Sequence, residues 1–297
     1  MQHSDSYRVI KRAERDLLGE GPHWSVARGA LFWVDILAPA LRCLHLDSGV
    51  VSNWSMPEKI GWAVERAGGR GFMVGLKSGF ATFDIESQVL VSVGSPEPDR
   101  PHNRLNDAKV DAQGRIWAGS MDDRQETVAG ALYRLDPGFS WSRHDDGYRV
   151  ANGPTFSVDG TLLYHTDSHQ RTVFVFDMAD DGRLTDKRLF VRFEDSWGYP
   201  DGMCTDVEGG IWIAHWGGGR VSRFSPDGRL ERSIALPASQ VTSCAFGGSE
   251  FDRLSALGVH AVRVQRKRCF VAADLPLSTL YNSSIAKHKI KCRLREL

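Results

Sequence analysis

Five short phrases recur along the chain, each a polar turn with glycine, then an apolar strand, then small or polar residues. They are ARGALFWVDI, AGGRGFMVGL, DAQGRIWAGS, SVDGTLLYHTDS and DVEGGIWIAHW. Aligned on Trp33, Phe72, Trp117, Tyr164 and Trp212, they are spaced by 39, 45, 47 and 48 residues. A period of roughly 40–50 residues is that of four-stranded propeller blades. A sixth, weaker start falls at GGSEFDRL, close to Leu254. Between the phrases stand further strand-and-turn units such as ALRCLHLDSG, GALYRLDPG and RVSRFSPDG. Their alternation, bounded by Asp-Gly or Pro-Gly, reads as antiparallel hairpins. No helical periodicity lasts long enough to supply the crossovers of a parallel sheet. The expectation is an all-β, six-bladed β-propeller, with two tandem β-sandwiches as the other architecture such a pattern allows.

Composition limits the partners. The 297 residues carry no formal net charge, which gives no case for a nucleic acid or a membrane surface. No apolar run approaches the roughly 20 residues of a membrane helix, and the start, MQHSDSYRVIKRAERDLLGEGPHW, lacks a signal peptide's apolar core. The expected location is cytoplasmic. Five scattered cysteines, with no CxxC pair, suggest neither a zinc knot nor a disulfide framework.

The overall charge balance hides an asymmetry. Residues 1–254 hold roughly 28 basic and 35 acidic residues, whereas 255–297 hold roughly 9 and 2. Glycine and acidity fall to one and two residues in the second segment, and strand alternation is lost with them. That switch reads as a changed reading frame near Leu254, with a natural divergent ending as the alternative, dividing the chain into a propeller, 1–254, and a divergent basic tail, 255–297. A last blade broken there leaves open sheet edges. The tail has no aromatic interleaving and reads as a solvated extension rather than a nucleic-acid arm.

In a propeller, loops entering the innermost strands ring one mouth of the channel. The candidate entrances are GEGPHW, NRLNDAKV, NGPTFSV and YPDGMCTD, which set Glu20, Asn106, Asn152 and Asp201 just before strands. Such motifs are also ordinary turn formers. Four at equivalent positions point further, because a structural turn has no need to alternate carboxylate with amide. Two carboxylates and amide oxygens suit a hard divalent cation. Other chemistries find less support. His23, His102, His165, His169 and His215 form no HExxH or HxxxH pair, and no G-x-S-x-G or GK[ST] is present.

In order along the chain, GEGPHW, NRLNDAKVDAQGRIWAGSM, NGPTFSVDGTLLYHTDS, PDGMCTDVEGGIWIAHWGGGRVSRFSPDG and QVTSCAFGG resemble the gluconolactonase family, the group of senescence-marker protein/regucalcin and luciferin-regenerating enzyme. The likeness runs from about Leu18 to about Leu254. It implies a six-bladed propeller that holds one divalent metal (calcium, zinc, manganese or magnesium) in its channel and hydrolyses sugar lactones to aldonic acids. By motif, Glu20, Asn152 and Asp201 look like the family's metal ligands, with Asp201 also the base. Arg104 and Asn106 match its substrate-contacting arginine and asparagine. An acidic residue touching sugar hydroxyls is expected after GSM, where Asp122, Asp123 and Arg124 compete; Asp123 is the assignment carried forward. The other readings are a propeller hydrolase of organophosphates or aryl esters, and a metal-binding propeller without catalysis. Oligomeric state is not legible.

Overall fold

The computed structural model describes residues 7, 9, 10, 12, 14–69 and 71–259. Within them the chain is a β-propeller of antiparallel sheets. The first blade comprises β1 (Gly19–Ser25), β2 (Ala30–Asp35), β3 (Ala40–His45) and β4 (Val51–Ser55). The second comprises β5 (Ile60–Glu65), β6 (Phe72–Leu76), β7 (Gly79–Phe83) and β8 (Leu90–Gly94). In the third are β9 (Asn103–Val110), β10 (Ile116–Asp122), β11 (Gly130–Leu135) and β12 (Trp141–Tyr148). The fourth has β13 (Ala151–Phe156), β14 (Leu162–Asp167), β15 (Thr172–Met178) and β16 (Leu184–Arg192). The fifth has β17 (Tyr199–Thr205), β18 (Ile211–Trp216), β19 (Arg220–Phe224) and β20 (Leu230–Ala235). A final hairpin, β21 (Gln240–Gly247) with β22 (Arg253–Val259), joins the fifth blade's sheet through the single bridge Trp216–Gln240.

The expected sixth blade is therefore corrected: the described residues form five blades and, after them, a two-stranded hairpin. The ring is nonetheless continuous at its centre. Innermost strands pack β1 on β5, β5 on β9, β9 on β13, β13 on β17, β17 on β21, and β21 back on β1. The hairpin also carries regular structure past Leu254, where the composition changes, as far as Val259. Most of the basic tail, from residue 260 onward, lies outside the described residues.

The recurring aromatics occupy the second strand of each blade, where Trp33, Phe72, Trp117, Tyr164 and Trp212 are almost wholly buried. Two blades repeat one device. Asp111 and Asp206, in the turn before β10 and β18, accept the indole N–H of Trp117 at 2.9 Å and of Trp212 at 2.7 Å. The same carboxylates accept backbone N–H groups of their own turns, from Gln113 and Arg115, and from Glu208 and Gly210. One side chain thus fixes both the bend and the tryptophan it leads to, which is why turn and aromatic recur together.

The core lies between blades rather than in one centre. Phe32 meets Phe72 between the first two blades, and Tyr164 packs with Met203 and Phe224 between the fourth and fifth. The hairpin seals the remaining gap from both sides. Leu254 and Ala256 join Trp212 and Val221 of the fifth blade, while Leu257 sits among Leu31, Trp33 and Leu44 of the first. Full burial of one such leucine contributes roughly 1.5–3 kcal/mol. Among the described residues no helix is long and apolar enough to cross a membrane.

Candidate functional site: a polar cavity at the mouth of the channel

Every innermost strand carries one register shift against its neighbour. The shifts lie between Glu20 and His23, Ile60 and Trp62, Asn152 and Thr155, Pro200 and Met203, and Val241 and Ser243, and opposite Ala118 and Ser120 on the β10 side of β9. A bulge inserts an extra residue, bends the strand and re-aims the side chains beside it. Here it breaks the strict alternation at the level of Glu20, Asn106, Asn152 and Asp201. The strands also come unusually close at two of these points. A Cβ on Gly61 would meet the Leu105 and Asn106 carbonyl oxygens at 2.5 and 2.7 Å, and one on Gly202 would meet Ser243 Oγ at 2.1 Å. Only glycine fits in either place.

Glu20, Arg104, Asn106, Asn152 and Asp201 line one cavity of about 330 Å³. They come from β1, β9, β13 and β17. A continuous hydrogen-bond relay links most of them. The Arg104 guanidinium donates from Nε to Asp123 Oδ1 at 2.9 Å and from Nη1 to Asn106 Oδ1 at 2.5 Å. Asn106 Nδ2 donates to Asn152 Oδ1 and to the Ala151 carbonyl, each at 2.7 Å. Asn152 Nδ2 donates to Ser168 Oγ at 2.9 Å, and Ser168 Oγ donates to the Pro200 carbonyl at 2.6 Å, one residue before Asp201. The relay spans three blades and fixes both amide orientations. Asp201 Oδ1 is buried with no hydrogen-bond partner among the described residues.

The carboxylates are under electrostatic pressure. Burial, then the neighbouring charge of Asp107, pushes Glu20 up to about 8. Burial likewise raises Asp107 to about 6. Asp201 is raised well above the usual carboxylate range by burial, by Glu20 and by Asp107. Burial makes Arg104 a weaker base, opposed chiefly by Asp123. Desolvated acids crowded in this way hold their protons unless a cation joins them.

Asp123 stands outside the cavity lining, held by Arg104 and by Lys59 Nζ at 2.8 and 2.7 Å, with Lys77 Nζ at 3.9 Å. Its two oxygens are shared between Lys59 and Arg104. Among the histidines, His169 lines the cavity, whereas His165 and His215 are buried in blade packing and His102 is exposed. Gln125, Ser168, Tyr199 and Trp216 also line it, the last two as an aromatic wall. Asp107 was hidden in NRLND: in a strictly alternating strand it faces away from Asn106, and only the bulge brings its charge to bear on Glu20 and Asp201.

The donor set suits a hard cation. Glu20 and Asp201 supply carboxylates, Asn152 an amide oxygen, and Asp201 Oδ1 is buried without a partner. Among the described residues no three carboxylate, imidazole or thiol groups gather to hold an ion by themselves. A three-residue oxygen shell here would have to draw on the amide oxygen of Asn152.

Comparison with known proteins is consistent across sequence and structure. Residues 18–256 match the model of the SMP-30/Gluconolactonase/LRE-like region. The 6-deoxy-6-sulfogluconolactonase of Pseudomonas putida is 36% identical over 263 residues, 88% of this chain and 89% of that protein. The L-arabinolactonase of Azospirillum brasilense is 35% identical over 249 residues, 83% of each chain. A solved structure of a calcium-binding protein, regucalcin, from Agrobacterium tumefaciens superposes with a TM-score of 0.83 at 26% identity, covering 91% of this chain and 95% of that one.

Proposed function

The chain belongs to the SMP-30/gluconolactonase/LRE-like family, and on that premise we propose that its channel hydrolyses the ring ester of a sugar-derived lactone, giving the aldonic acid. The observation that carries this reading is the convergence of Glu20, Arg104, Asn106, Asn152 and Asp201 from four strands on one cavity. A cavity of about 330 Å³ is at the small end of ligand pockets, fitting a single sugar ring.

Glu20, Asn152 and Asp201 would hold one divalent cation. When bound, such an ion polarises the lactone carbonyl and offsets the negative charge that develops on its oxygen. The side chains do the rest. Arg104, with Nε and Nη1 bonded within the protein, offers its Nη2 to ring hydroxyls. Asn106, both of whose N–H groups are committed to Ala151 and Asn152, orients Arg104 and has only its Oδ1 to offer the substrate. Asp201 accepts a proton from the water that adds to the carbonyl carbon. The bond between that carbon and the ring oxygen then breaks, and the ring oxygen leaves as an alcohol, taking the proton that Asp201 accepted from the water. Hairpin β21–β22 completes the ring around this cavity, packing on β17 and on β1.

A second reading is a metal-binding propeller without turnover, favoured by the calcium-binding description of the Agrobacterium relative. Hydrolysis of aryl esters or organophosphates fits less well, because Arg104 and Asn106 give the cavity a wall suited to a polyol. The test is hydrolysis of glucono-, xylono-, arabinono- and galactono-lactones by metal-stripped protein, followed as acid release above the spontaneous rate. Turnover that appears on adding calcium, zinc, manganese or magnesium supports the lactonase reading. Folded, metal-loaded protein with no turnover on any lactone supports the binding reading instead.

A further inference from the structure

Beyond β10 the chain makes a loop in which Gln125 holds a left-handed backbone, with φ of 59°. For a residue with a long side chain that conformation is uncommon and is kept where the surroundings dictate it. The dictating group is Asp122. Its carboxylate accepts N–H groups from Arg124 at 3.1 Å, Glu126 at 3.2 Å and Thr127 at 3.1 Å, and the Thr127 hydroxyl at 2.9 Å. Its carbonyl accepts Gln125 N–H at 2.8 Å. The loop is thus wound around one buried aspartate, and Gln125 stands at its turning point.

Gln125 is exposed at the rim, where it borders the cavity. Gln125 lines it together with Arg104, Ser168 and His169, and its amide makes no hydrogen bond among the described residues. Asp123, two residues earlier, is committed to Lys59 and Arg104 and leaves the position to Gln125. Height along the channel follows from register. Asp122 pairs with Asn103, and Asn106 lies three residues further in, so the loop stands roughly 10 Å above Asn106 at ~3.3 Å per residue.

We propose that Gln125 is a specificity-determining residue that reads an uncharged hydroxyl at the end of the lactone farthest from Glu20, Asn152 and Asp201. This rests on the lactonase reading. With the ester at those three residues, the exocyclic carbon of an aldonolactone points toward the rim. A neutral amide offers that hydroxyl both a donor and an acceptor, whereas a carboxylate offers only acceptors.

The experiment compares kcat/KM for glucono-1,5-lactone and 6-deoxyglucono-1,5-lactone in the wild type, Gln125→Gly and Gln125→Asn. Glycine favours the left-handed backbone, so Gln125→Gly removes the amide without adding strain. Asparagine tolerates the same backbone and keeps a shorter amide. The wild type is expected to prefer the hydroxylated lactone by roughly fivefold, the worth of one partly exposed hydrogen bond. That ratio falls to about one in Gln125→Gly and is partly restored in Gln125→Asn. A wild-type ratio of one, or an unchanged ratio in Gln125→Gly even with both rates lowered, overturns the assignment while leaving the lactonase reading intact. If the wild type hydrolyses neither lactone but turns over xylono-, arabinono- or galactono-lactone, this assignment alone is overturned; no turnover on any of them fails the lactonase reading and this assignment with it.

Discussion

Asn106 donates its side-chain amide to Asn152 Oδ1 at 2.7 Å, across the seam between the third and fourth blades. The contact joins the wall assigned to substrate with the shell assigned to metal, so the two cannot be tuned apart. Asn106→Ala is expected to lower kcat/KM by about 10–100-fold and also to weaken divalent-cation affinity by roughly tenfold, the usual cost of removing a partner that orients a ligand. Calorimetric titration beside steady-state rates checks this. Unchanged cation affinity would show that Asn152 is held without Asn106.

The crowded carboxylates give a pH signature to the metal-free protein. Glu20 is raised to about 8 against an ordinary value near 4.5. A group raised on folding contributes stability that is fully present below its unfolded value and is lost as pH rises through its folded value. Metal-free protein should therefore lose thermal stability between about pH 4.5 and 8 more steeply than Glu20→Gln does. His23 and His215, lowered to about 4 by burial, and His165, lowered to about 3, work in the opposite sense and strengthen the fold as pH rises toward 6.5. Comparing melting curves of the two proteins cancels that histidine contribution. Identical pH profiles would mean that Glu20 is not under this pressure.

Closure of the ring rests on the hairpin. Leu257 is fully buried against Leu31, Trp33 and Leu44 of the first blade. Leu257→Ala is expected to cost about 2–5 kcal/mol in chemical denaturation, the range for truncating a buried leucine. A loss below about 1 kcal/mol would indicate that the ring closes without this contact.

Much of this was legible in the sequence because turn and aromatic are tied by chemistry. Asp111 with Trp117 and Asp206 with Trp212 recur as a unit since one carboxylate serves both, and the spacing of such units marks the blades. Glu20, Arg104, Asn106, Asn152 and Asp201 stand out in motifs expected to precede strands; the structure corrects that placement, setting them inside β1, β9, β13 and β17, and the cavity gathers all five. Three things were not legible. The bulge that brings Asp107 into electrostatic contact with Glu20 depends on register with β10, which no single strand encodes. The diversion of Asp123 to Lys59 depends on a partner 64 residues away. The end of the last strand was obscured by composition, because LSALGV continues the pairing of β22 into the segment where glycine and acidity become scarce.

Asp201 is where the proposed metal shell and the proposed base coincide, and its buried Oδ1 lacks a partner among the described residues. The most direct measurement is lactone hydrolysis and divalent-cation binding by Asp201→Asn, side by side with wild type. Asparagine keeps the shape and the turn while removing the charge. Loss of at least about 100-fold in kcat, accompanied by weakened cation binding, is the expected result. An Asp201→Asn protein that binds the cation and turns over lactone at the wild-type rate would contradict the assignment of this cavity as a metal-assisted lactonase site.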